Sequence, residues 1–569
     1  MKIIWTCLVC GMFFVSEISL KFMNCFSLRL GKKTIFDSSL NTMKMSKNQS
    51  FPLIFLLIMS CFGLKSNAQK RELHPKNEFR GVWIATVVNI DWPKTSSDIV
   101  EKEKADYLEI LDTYKKLNFN AVIVQIRSVG DAFYPSNLSP WSRFLTGKEG
   151  KEPQPYYDTL EWMIDQAHQR GFEFHAWMNP YRATFDLNKA QLSPNHDVFK
   201  HPEWMIEYGG KIYYDPALPE VQEHLTNIVE EVVDRYDVDA IHFDDYFYPY
   251  RVPGKEFNDS KSYAKFGNGK KLDDWRRGNV NDFVRRVSIA IKSCKPWVQF
   301  GISPFGVWRN KSVDPRGSDT QSTSNYDDLY ADPLLWIDEK WIDYILPQLY
   351  WSMNNPRASY SKLVKWWSEN AKNTAIYIGH ATYKIRDDKD KSWNYIQEIP
   401  TQIDYSREFE NVGGNGFYSA KMFVNKNLDV VRLLEEKQFK YPALPAAVPN
   451  LKKEIIEVPI VSEFCIENLN YEFTVRVPID TKVRYVVFYA AENASKLNTN
   501  DASQIIEKVL VTESYGNYYI SLPAEKFKNK NACAVTFVDY SANESKPTQL
   551  ELTKNFQNIT PAIDERNKQ

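Results

Sequence analysis

Short β-branched and aromatic runs alternate with longer amphipathic stretches from Glu78 to about Tyr441. This alternation is typical of βα units built around a parallel sheet. Apolar residues recur at helical spacing over Lys102–Leu117 and Val221–Tyr236, which predicts two of the helices. The predicted strands are Phe79–Ala85, Ala121–Arg127, Glu173–Met178, Ala240–Asp244, Val298–Ser303, Tyr344–Leu349, Ala375–Ile378 and Gly416–Ser419. Eight such units predict an α/β fold, a (β/α)8 TIM barrel over residues 76–440, with an open doubly wound sheet as the alternative.

A second region with a different pattern follows the predicted barrel. Three prolines in 441–449 resist regular structure, so residues 441–450 are predicted to be a linker. Beyond it, short strands without helical periodicity predict a small all-β sandwich of fibronectin-III or immunoglobulin-like class over residues 451–555, followed by a polar tail at 556–569. The strands expected there are Tyr471–Val477, Val483–Ala490, Tyr518–Leu522 and Ala532–Tyr540.

The N-terminal residues have the pattern of an export signal. An apolar run at Phe51–Leu64 is shorter than the roughly 20 residues that span a bilayer. Two lysines precede this run, and the small-x-small sequence Ser66-Asn67-Ala68 follows it. We therefore predict a signal peptide over residues 43–68, with residues 1–42 as an over-extended start of the chain.

A lipid anchor is an alternative within the same segment. Ile58-Met59-Ser60-Cys61 resembles a bacterial lipobox, which would make Cys61 the lipidated residue. We expect an exported protein, found either in the periplasm or as an outer-membrane lipoprotein. An uncleaved N-terminal anchor is the third possibility.

The cysteines and the charge exclude several classes of protein. Without the leader only Cys294, Cys465 and Cys533 are left, too few for a disulfide scaffold. Cys465 and Cys533 either pair or stay free. The net charge is −1, with 71 basic and 72 acidic residues, so we expect no nucleic-acid partner. The aromatic content of 14% favours recognition of flat apolar surfaces such as sugar faces.

Polar residues concentrate at the ends of the predicted strands, where a barrel of this kind carries its catalytic side chains. Four pairs of polar or aromatic residues each share one face of a predicted strand. A single pair is compatible with a hydrogen-bonded polar layer. Four pairs imply an open polar cavity, because the burial of Arg, His and Asp side chains without partners or water costs free energy. Interleaved Trp and Tyr make carbohydrate the best-fitting substrate class. The residues that share a strand face at period two are Gln125 with Arg127, His175 with Trp177, His242 with Asp244, and Gln348 with Tyr350.

Five long segments occur in order along the predicted barrel: Glu78–Trp83, Phe174–Arg182, Ile241–Pro249, Tyr326–Asp332 and Gln348–Trp351. Together they resemble the bacterial glycosyl hydrolase-like 10 family over about residues 76–440. The resemblance implies an exported (β/α)8 hydrolase of glycosidic bonds, with members acting on cell-envelope glycans such as peptidoglycan strands or other N-acetylhexosamine polymers.

Glycoside hydrolysis usually needs two carboxyl groups, one protonated and one ionised. Asp244 is the first candidate because it ends a predicted strand on the same inward face as His242. Asp245 is the second, since mutual repulsion would raise one of the two pKa values, although a helix cap or loop salt bridge would also explain it. Asp131, Asp327 and Asp328 are weaker candidates. The predicted substrate-binding residues are Gln125, Arg127, Asp131, His175, Trp177, Asn179, Arg182, His242, Tyr246, Gln348, Tyr350 and Trp351, with no metal and no cofactor.

Residues 239–246 are also similar to the strand-four signature of family 18 chitinases. Asp244 stands at the position of their supporting Asp, but Tyr246 replaces their catalytic Glu. A substrate-assisted route, in which an N-acetyl group is the nucleophile, is therefore an alternative mechanism.

Two competing functions stay open at this point. One is a metal-dependent polysaccharide hydrolase or deacetylase, in which His175, His242, Asp244, Asp245 and His380 would converge on one ion. The other is a non-catalytic surface lipoprotein whose sandwich binds glycan.

Overall fold

Eight parallel strands close into a barrel in the computed structural model, which describes residues 74–96, 99–452, 456–478, 483–511 and 516–552. In chain order the strands of this region are β1 (Phe79–Ile84), β2 (Ala121–Arg127), β3 (Glu173–Met178), β4 (Met205–Tyr208), β5 (Lys211–Tyr214), β6 (Ala240–Phe243), β7 (Gln299–Ile302), β8 (Tyr344–Ile345), β9 (Ala375–Ala381) and β10 (Val412–Tyr418). Strands β4 and β5 form a separate antiparallel hairpin. The others pair in the order β1-β10-β9-β8-β7-β6-β3-β2, which confirms the closed barrel and rules out the open sheet.

Helices lie between the barrel strands along the chain and after the last of them. The two helices predicted from periodicity are confirmed at Val100–Lys116 and Pro219–Arg235, with their ends displaced by one or two residues. The helices are α1 (Val100–Lys116), α2 (Arg143–Thr146), α3 (Thr159–Gln169), α4 (Asp197–Lys200), α5 (Pro219–Arg235), α6 (Ser260–Phe266), α7 (Leu272–Cys294), α8 (Asn325–Asp328), α9 (Pro333–Asp338), α10 (Tyr360–Asn370), α11 (Glu398–Ser406), α12 (Lys421–Val424) and α13 (Leu428–Glu436).

Side chains on the barrel strands alternate between the interior and the helix layer. Phe79 and Trp83 of β1 pack inside the barrel, whereas Val82 packs in the cluster between strands and helices. The ring of Tyr344 on β8 crosses the interior, and Gly301 on β7 leaves the space for it, because a Cβ at position 301 would lie 1.8 Å from the tyrosine Cζ. The interior below the site is thus filled by large rings rather than left as a channel.

The C-terminal region consists of two antiparallel sheets with a shared apolar core. The order is β11-β12-β15 in one sheet and β14-β13-β16-β17 in the other. Cys465 and Cys533 lie in different sheets and both are free thiols. The strands are β11 (Ile460–Glu467), β12 (Asn470–Val477), β13 (Val483–Ala491), β14 (Ile505–Leu510), β15 (Gly516–Pro523), β16 (Ala532–Asp539) and β17 (Thr548–Glu551). The all-β prediction is confirmed, while β11, β14 and β17 were not predicted.

The β domain contacts the end of the barrel at which the strands begin. Buried Arg484 on β13 places its guanidinium 2.7 Å from Asp239, the residue that precedes β6, and 3.0 Å from Asp237. The proline-rich segment crosses the same end, where the Leu444 carbonyl accepts a hydrogen bond from the Glu78 amide. The carboxyl ends of the strands therefore lie at the opposite end of the barrel from this interface.

The predicted signal peptide, Cys61 and the polar tail at 556–569 lie outside the described residues. Within the described part of the chain, no helix is both long enough and apolar enough to cross a membrane.

Candidate active site

Two adjoining cavities open at the carboxyl ends of the barrel strands. We call them the outer cavity, of about 490 Å³, and the inner cavity, of about 290 Å³. Both are lined by Trp177, Asp244, Tyr246, Tyr250 and Tyr418. The outer cavity adds Val87, Val88, Ile90, Gln125, Asn179, Arg182, Phe185, Tyr208, Gly209, Lys211, Tyr213 and Val252. The inner cavity adds Trp83, Asp245, Ser303, Gln348, Tyr350 and Tyr383.

Asp244 lies where the two cavities meet. Strand β6 ends at Phe243, and Asp244 is the next residue. Because alternate residues of a strand share a face, Asp244 points to the barrel interior on the same side as His242. Its Oδ2 accepts a hydrogen bond from the Trp177 indole at 3.1 Å, and its Oδ1 accepts one from the Tyr246 amide at 3.1 Å. Burial, together with repulsion from Asp245, raises the pKa of Asp244 to about 7. A protonated carboxyl group is therefore well populated at neutral pH.

Asp245 is held in a different environment although it is the next residue. It lines the inner cavity, and its Oδ2 accepts a hydrogen bond from the Tyr250 hydroxyl. Burial raises the pKa of Asp245, while hydrogen bonds from Tyr250 and Gln348 act against that rise. Those hydrogen bonds favour the ionised form of Asp245, whereas repulsion from Asp245 favours the protonated form of Asp244.

Free hydrogen-bond donors face the outer cavity. Asn179 follows β3, and its Oδ1 lies 3.4 Å from the Gln125 amide nitrogen. The Asn179 Nδ2 and the Arg182 Nε are buried, and neither has a partner among the described residues. Buried donors without a protein partner are available to the hydroxyl groups of a sugar.

Aromatic rings form the wall of the inner cavity. Tyr350 stacks against Tyr418 with ring centroids 6.3 Å apart and meets Tyr383 edge-on at 6.0 Å. Trp83 meets Tyr418 edge-on at 6.2 Å. Such faces bind the apolar C–H surfaces of sugar rings.

The two predicted histidines lie beneath the cavities rather than on their walls. The Nδ1 atoms of His175 and His242 are each 2.8 Å from the Tyr344 hydroxyl. Because the Trp83 indole donates to Nε2 of His242 at 3.3 Å, the proton of neutral His242 belongs on Nδ1 and is donated to Tyr344. Tyr344 then donates to His175, which turns its Nε2 toward Glu173, 3.5 Å away. Burial lowers the pKa of His242 and keeps it neutral.

Arg127 and Asp131 are also buried away from the two cavities. The pairing of β2 with β3 shifts by one residue between Gln125 and Arg127, so Arg127 leaves the inward face and donates to the Tyr214 hydroxyl at 3.4 Å. Asp131 is fully buried, and burial raises its pKa. Trp351 likewise lies outside both linings and packs edge-on against Phe305 at 5.5 Å.

The remaining predicted residues come together as one site. Gln125, Trp177, Asn179, Arg182, Asp244, Asp245, Tyr246, Gln348 and Tyr350 all line the cavities. The sequence analysis missed Tyr383, which follows β9, and Tyr418, which ends β10, although the rule of reading the strand ends applies to both. It also missed the hairpin residues Lys211 and Tyr213, for which no local pattern gives a position.

The histidines and carboxylates considered for a metal have other partners. His380 is bound through Nδ1 to Gln402 and through Nε2 to Asn415. Among the residues that the structure describes, no three His, Cys, Asp or Glu side chains are grouped so that they could hold a metal ion.

Comparisons with known proteins show the family of the chain. The family model for glycosyl hydrolase-like 10 matches residues 78–396. The chain is 44% identical over 426 residues to glycosyl hydrolase YngK of Bacillus subtilis (strain 168), covering 73% of this chain and 83% of that protein. It is 39% identical over 359 residues to glycosyl hydrolase DigH of Escherichia coli (strain K12), covering 59% and 81%. The glycoside hydrolase domain of PgaB (BpsB) from Bordetella bronchiseptica superposes with a TM-score of 0.40 at 13% identity, covering 67% of this chain and 100% of that one. The chain belongs to the glycosyl hydrolase-like 10 family.

Proposed function

We propose that the protein is an exported glycoside hydrolase that cleaves O-glycosidic bonds in a cell-envelope glycan. One observation carries the proposal. Asp244, with a pKa raised to about 7, lies between two cavities that are lined by aromatic rings and free donors. A sugar can therefore lie on either side of a group able to protonate the bond between them.

Each residue of the pair has its own part in the reaction. The Asp244 proton passes to the glycosidic oxygen as the bond from this oxygen to C1 breaks, and the leaving sugar departs with a new hydroxyl group. The ionised Asp245 stabilises the positive charge that develops at C1. Water then adds its hydroxide to C1, and its proton returns to Asp244.

Asp245 fixes the direction of the substrate. It lines only the inner cavity, so the sugar whose C1 becomes cationic occupies that cavity. The leaving sugar then occupies the outer cavity. A substrate N-acetyl group could take the place of water as the first nucleophile, with Asp244 and Asp245 keeping the same tasks.

Peptidoglycan strands or another N-acetylhexosamine polymer are the substrates we favour. Aromatic rings and the free donors of Asn179 and Arg182 are the groups available to such a sugar. Membership of the family supports a carbohydrate substrate in general.

The test is direct. The mature protein is incubated with peptidoglycan, glycan strands without peptides, chitooligosaccharides and plant polysaccharides, and the products are analysed by mass spectrometry. Asp244→Asn should fold, as judged by circular dichroism, and should release no reducing ends. Wild-type turnover by this variant, or binding of glycan without turnover by the unmodified protein, would refute the proposal.

Export and the class of the β domain belong to the same proposal. We place the protein in the periplasm or, through Cys61, at the outer membrane as a lipoprotein. Mass spectrometry of the mature N-terminus separates the two, since only the second carries a diacylglyceryl group. The β domain, with sheets of three and four strands, is of fibronectin-III or immunoglobulin-like class.

A further inference from the structure

We infer that Val88 is held in a strained backbone conformation that places its side chain against the leaving sugar in the outer cavity. This inference rests on the proposed hydrolysis and names a residue that positions the substrate without an acid, a base or a hydrogen bond. Three features of the molecule support it: the backbone angles of Val88, its exposure, and the hydrogen bonds that fix the loop around it.

Val88 has left-handed backbone angles, φ 52° and ψ 26°, in the loop that follows β1. Residues other than glycine seldom adopt this conformation, because their Cβ lies too close to the following carbonyl oxygen. A side chain branched at Cβ is the least suited to it. The next residue, Asn89, has φ 55° but belongs to a type that tolerates the same conformation. The strain of the loop is therefore concentrated at Val88.

Burial in the core does not account for the strained valine. Val88 is 49% exposed, and it lines the outer cavity together with its half-buried neighbours Val87 and Ile90. A fully buried valine would offset backbone strain by removing its apolar surface from water, whereas Val88 leaves much of that surface in the open cavity. A ligand that covers this surface would supply the missing burial.

Hydrogen bonds on both sides of Val88 hold the loop in place. The Gln125 Oε1 accepts from the amide of Thr86 at 3.2 Å and from the amide of Val87 at 3.0 Å. On the other side, the Asn89 Nδ2 donates to the Phe144 carbonyl at 2.8 Å. A strained residue persists where its surroundings fix the backbone in this way, and such residues cluster at functional sites.

The place of Val88 in the cavity matches the leaving sugar. In the proposed reaction this sugar occupies the outer cavity, and Asp244 lies where that cavity meets the inner one. Most of the outer lining is aromatic or polar, and its aliphatic residues are Val87, Val88, Ile90 and Val252. An aliphatic contact limits the movement of a sugar ring through its apolar C–H surface. It thereby helps to keep the glycosidic oxygen beside the Asp244 carboxyl group.

Stability and activity should therefore change in opposite directions when Val88 is replaced by glycine. Glycine adopts the left-handed conformation without strain, so Val88→Gly should stabilise the folded protein even though glycine is more flexible in the unfolded chain. The same replacement removes the contact with the sugar. A residue that serves the fold alone would not become more stable and less active at once.

The experiment separates the side chain from the backbone with three variants and a control. Val88→Gly removes both the strain and the side chain, whereas Val88→Ile keeps both. Val88→Asn lessens the strain and replaces the isopropyl group by a polar one. The matched control is Lys340→Gly, since Lys340 has φ 57°, is exposed and lies outside both cavity linings. Thermal unfolding is followed by circular dichroism, and kcat and KM are measured on glycan strands without peptides and on chitooligosaccharides.

We expect Val88→Gly to raise Tm by about 1–3 °C and to lower kcat/KM about tenfold, with a rise in KM. A rise in KM marks a lost contact, because a smaller fraction of active protein would lower kcat alone. Val88→Asn should show the same two changes to a smaller degree. Val88→Ile should recover most of the kcat/KM that Val88→Gly loses, and Lys340→Gly should gain stability without a change in kinetics.

Two results would overturn this inference and leave the proposed hydrolysis intact: wild-type kcat and KM in Val88→Gly, or a Tm of Val88→Gly below that of the wild type. Absence of turnover by the wild type on every glycan would instead refute the proposed function. In that case calorimetric titration of the same glycan strands and chitooligosaccharides into wild type and Val88→Gly decides about the contact. Weaker binding by Val88→Gly supports it, and equal binding or no binding by either protein overturns it.

Discussion

Replacement of Arg484 should destabilise the whole protein from the end of the barrel that is remote from the site. Arg484 is 2% exposed and contacts Asp239 at 2.7 Å, with Asp237 and the Tyr540 hydroxyl close by. In Arg484→Met, Asp239 would be left as a buried carboxylate without its cation. Breaking such a pair from one side costs about 3–5 kcal/mol in the free energy of unfolding. That is a large part of the roughly 5–15 kcal/mol that stabilises a typical domain.

The loss of stability in Arg484→Met should also depend on pH. Burial alone would raise the pKa of Asp239, but the charges of Arg484 and His168 outweigh it and hold the pKa below its ordinary value. A carboxyl group with a lowered pKa contributes stability that is fully present above the unfolded pKa of about 4 and is lost as pH falls through the folded pKa. Loss of the Arg484 charge raises the folded pKa of Asp239 in the variant. The difference in stability between wild type and Arg484→Met should therefore grow with pH until this raised pKa is passed, and should shrink in more acidic solution.

Urea unfolding followed by tryptophan fluorescence and circular dichroism measures both effects. Arg476→Met is the matched control, since Arg476 is exposed on β12. The double variant Asp239→Asn with Arg484→Met should recover part of the loss, because no buried charge is left and Asn can still accept from the Phe174 amide. If Arg484→Met cost no more than Arg476→Met at neutral pH, the reasoning about the buried pair would be refuted.

Further predictions concern the site and its support. Activity should fall as pH rises through about 7, because Asp244 must be protonated, and should fall in acid because Asp245 must be ionised; a flat pH profile would contradict this assignment. Trp177→Phe removes the donor that lowers the Asp244 pKa, so the alkaline limb of the kcat/KM profile should move to higher pH. Tyr350→Ala should raise KM more than it lowers kcat, as expected for a ring on the cavity wall; a dominant loss in kcat would argue for another role. Tyr344→Phe should cost about 1–3 kcal/mol of stability in urea for each imidazole nitrogen left unpaired, and an unchanged midpoint would exclude the hydrogen-bonded link.

The barrel could be predicted because its strands are buried on both faces. Runs such as Ala121–Arg127 and Glu173–Met178 are recognisable without knowledge of their neighbours, and their structural bounds equal the predicted ones. Strand β8 was predicted as Tyr344–Leu349 but has only two residues, because the chain leaves the regular hydrogen-bonded ladder after Ile345. The missed strands of the β domain, such as β17, are short edges with few apolar residues to mark them.

The site was predictable only where strand alternation holds. It holds for Trp177 and Asp244, which line both cavities. It fails at Arg127, because the register shift in β2 turns the side chain away, and a shift of this kind has no signal in the local sequence. The sequence also does not show how far along its strand a residue lies from the mouth of the barrel. His175 and His242 are therefore on the predicted inward face, but they lie beneath the cavities instead of lining them.

Lys211 shows a further limit, since it reaches the cavity from the hairpin and not from a barrel strand. Where an insertion packs depends on tertiary contacts such as that between Ala183 and Ile212. The residues that tune a site for its substrate are often carried on such loops, whereas the strands carry the reaction itself.

The proposed mechanism takes both of its carboxyl groups from adjacent residues, Asp244 and Asp245. Two neighbouring side chains diverge along a continuous strand, but β6 ends at Phe243, so Asp245 belongs to the turn that follows. Tyr250 from that turn and Gln348 from the chain after β8 hold Asp245, while Trp177 from β3 holds Asp244. Different partners give different proton affinities to two identical groups one residue apart. In the proposed mechanism, one short strand end therefore supplies both the acid and the carboxylate.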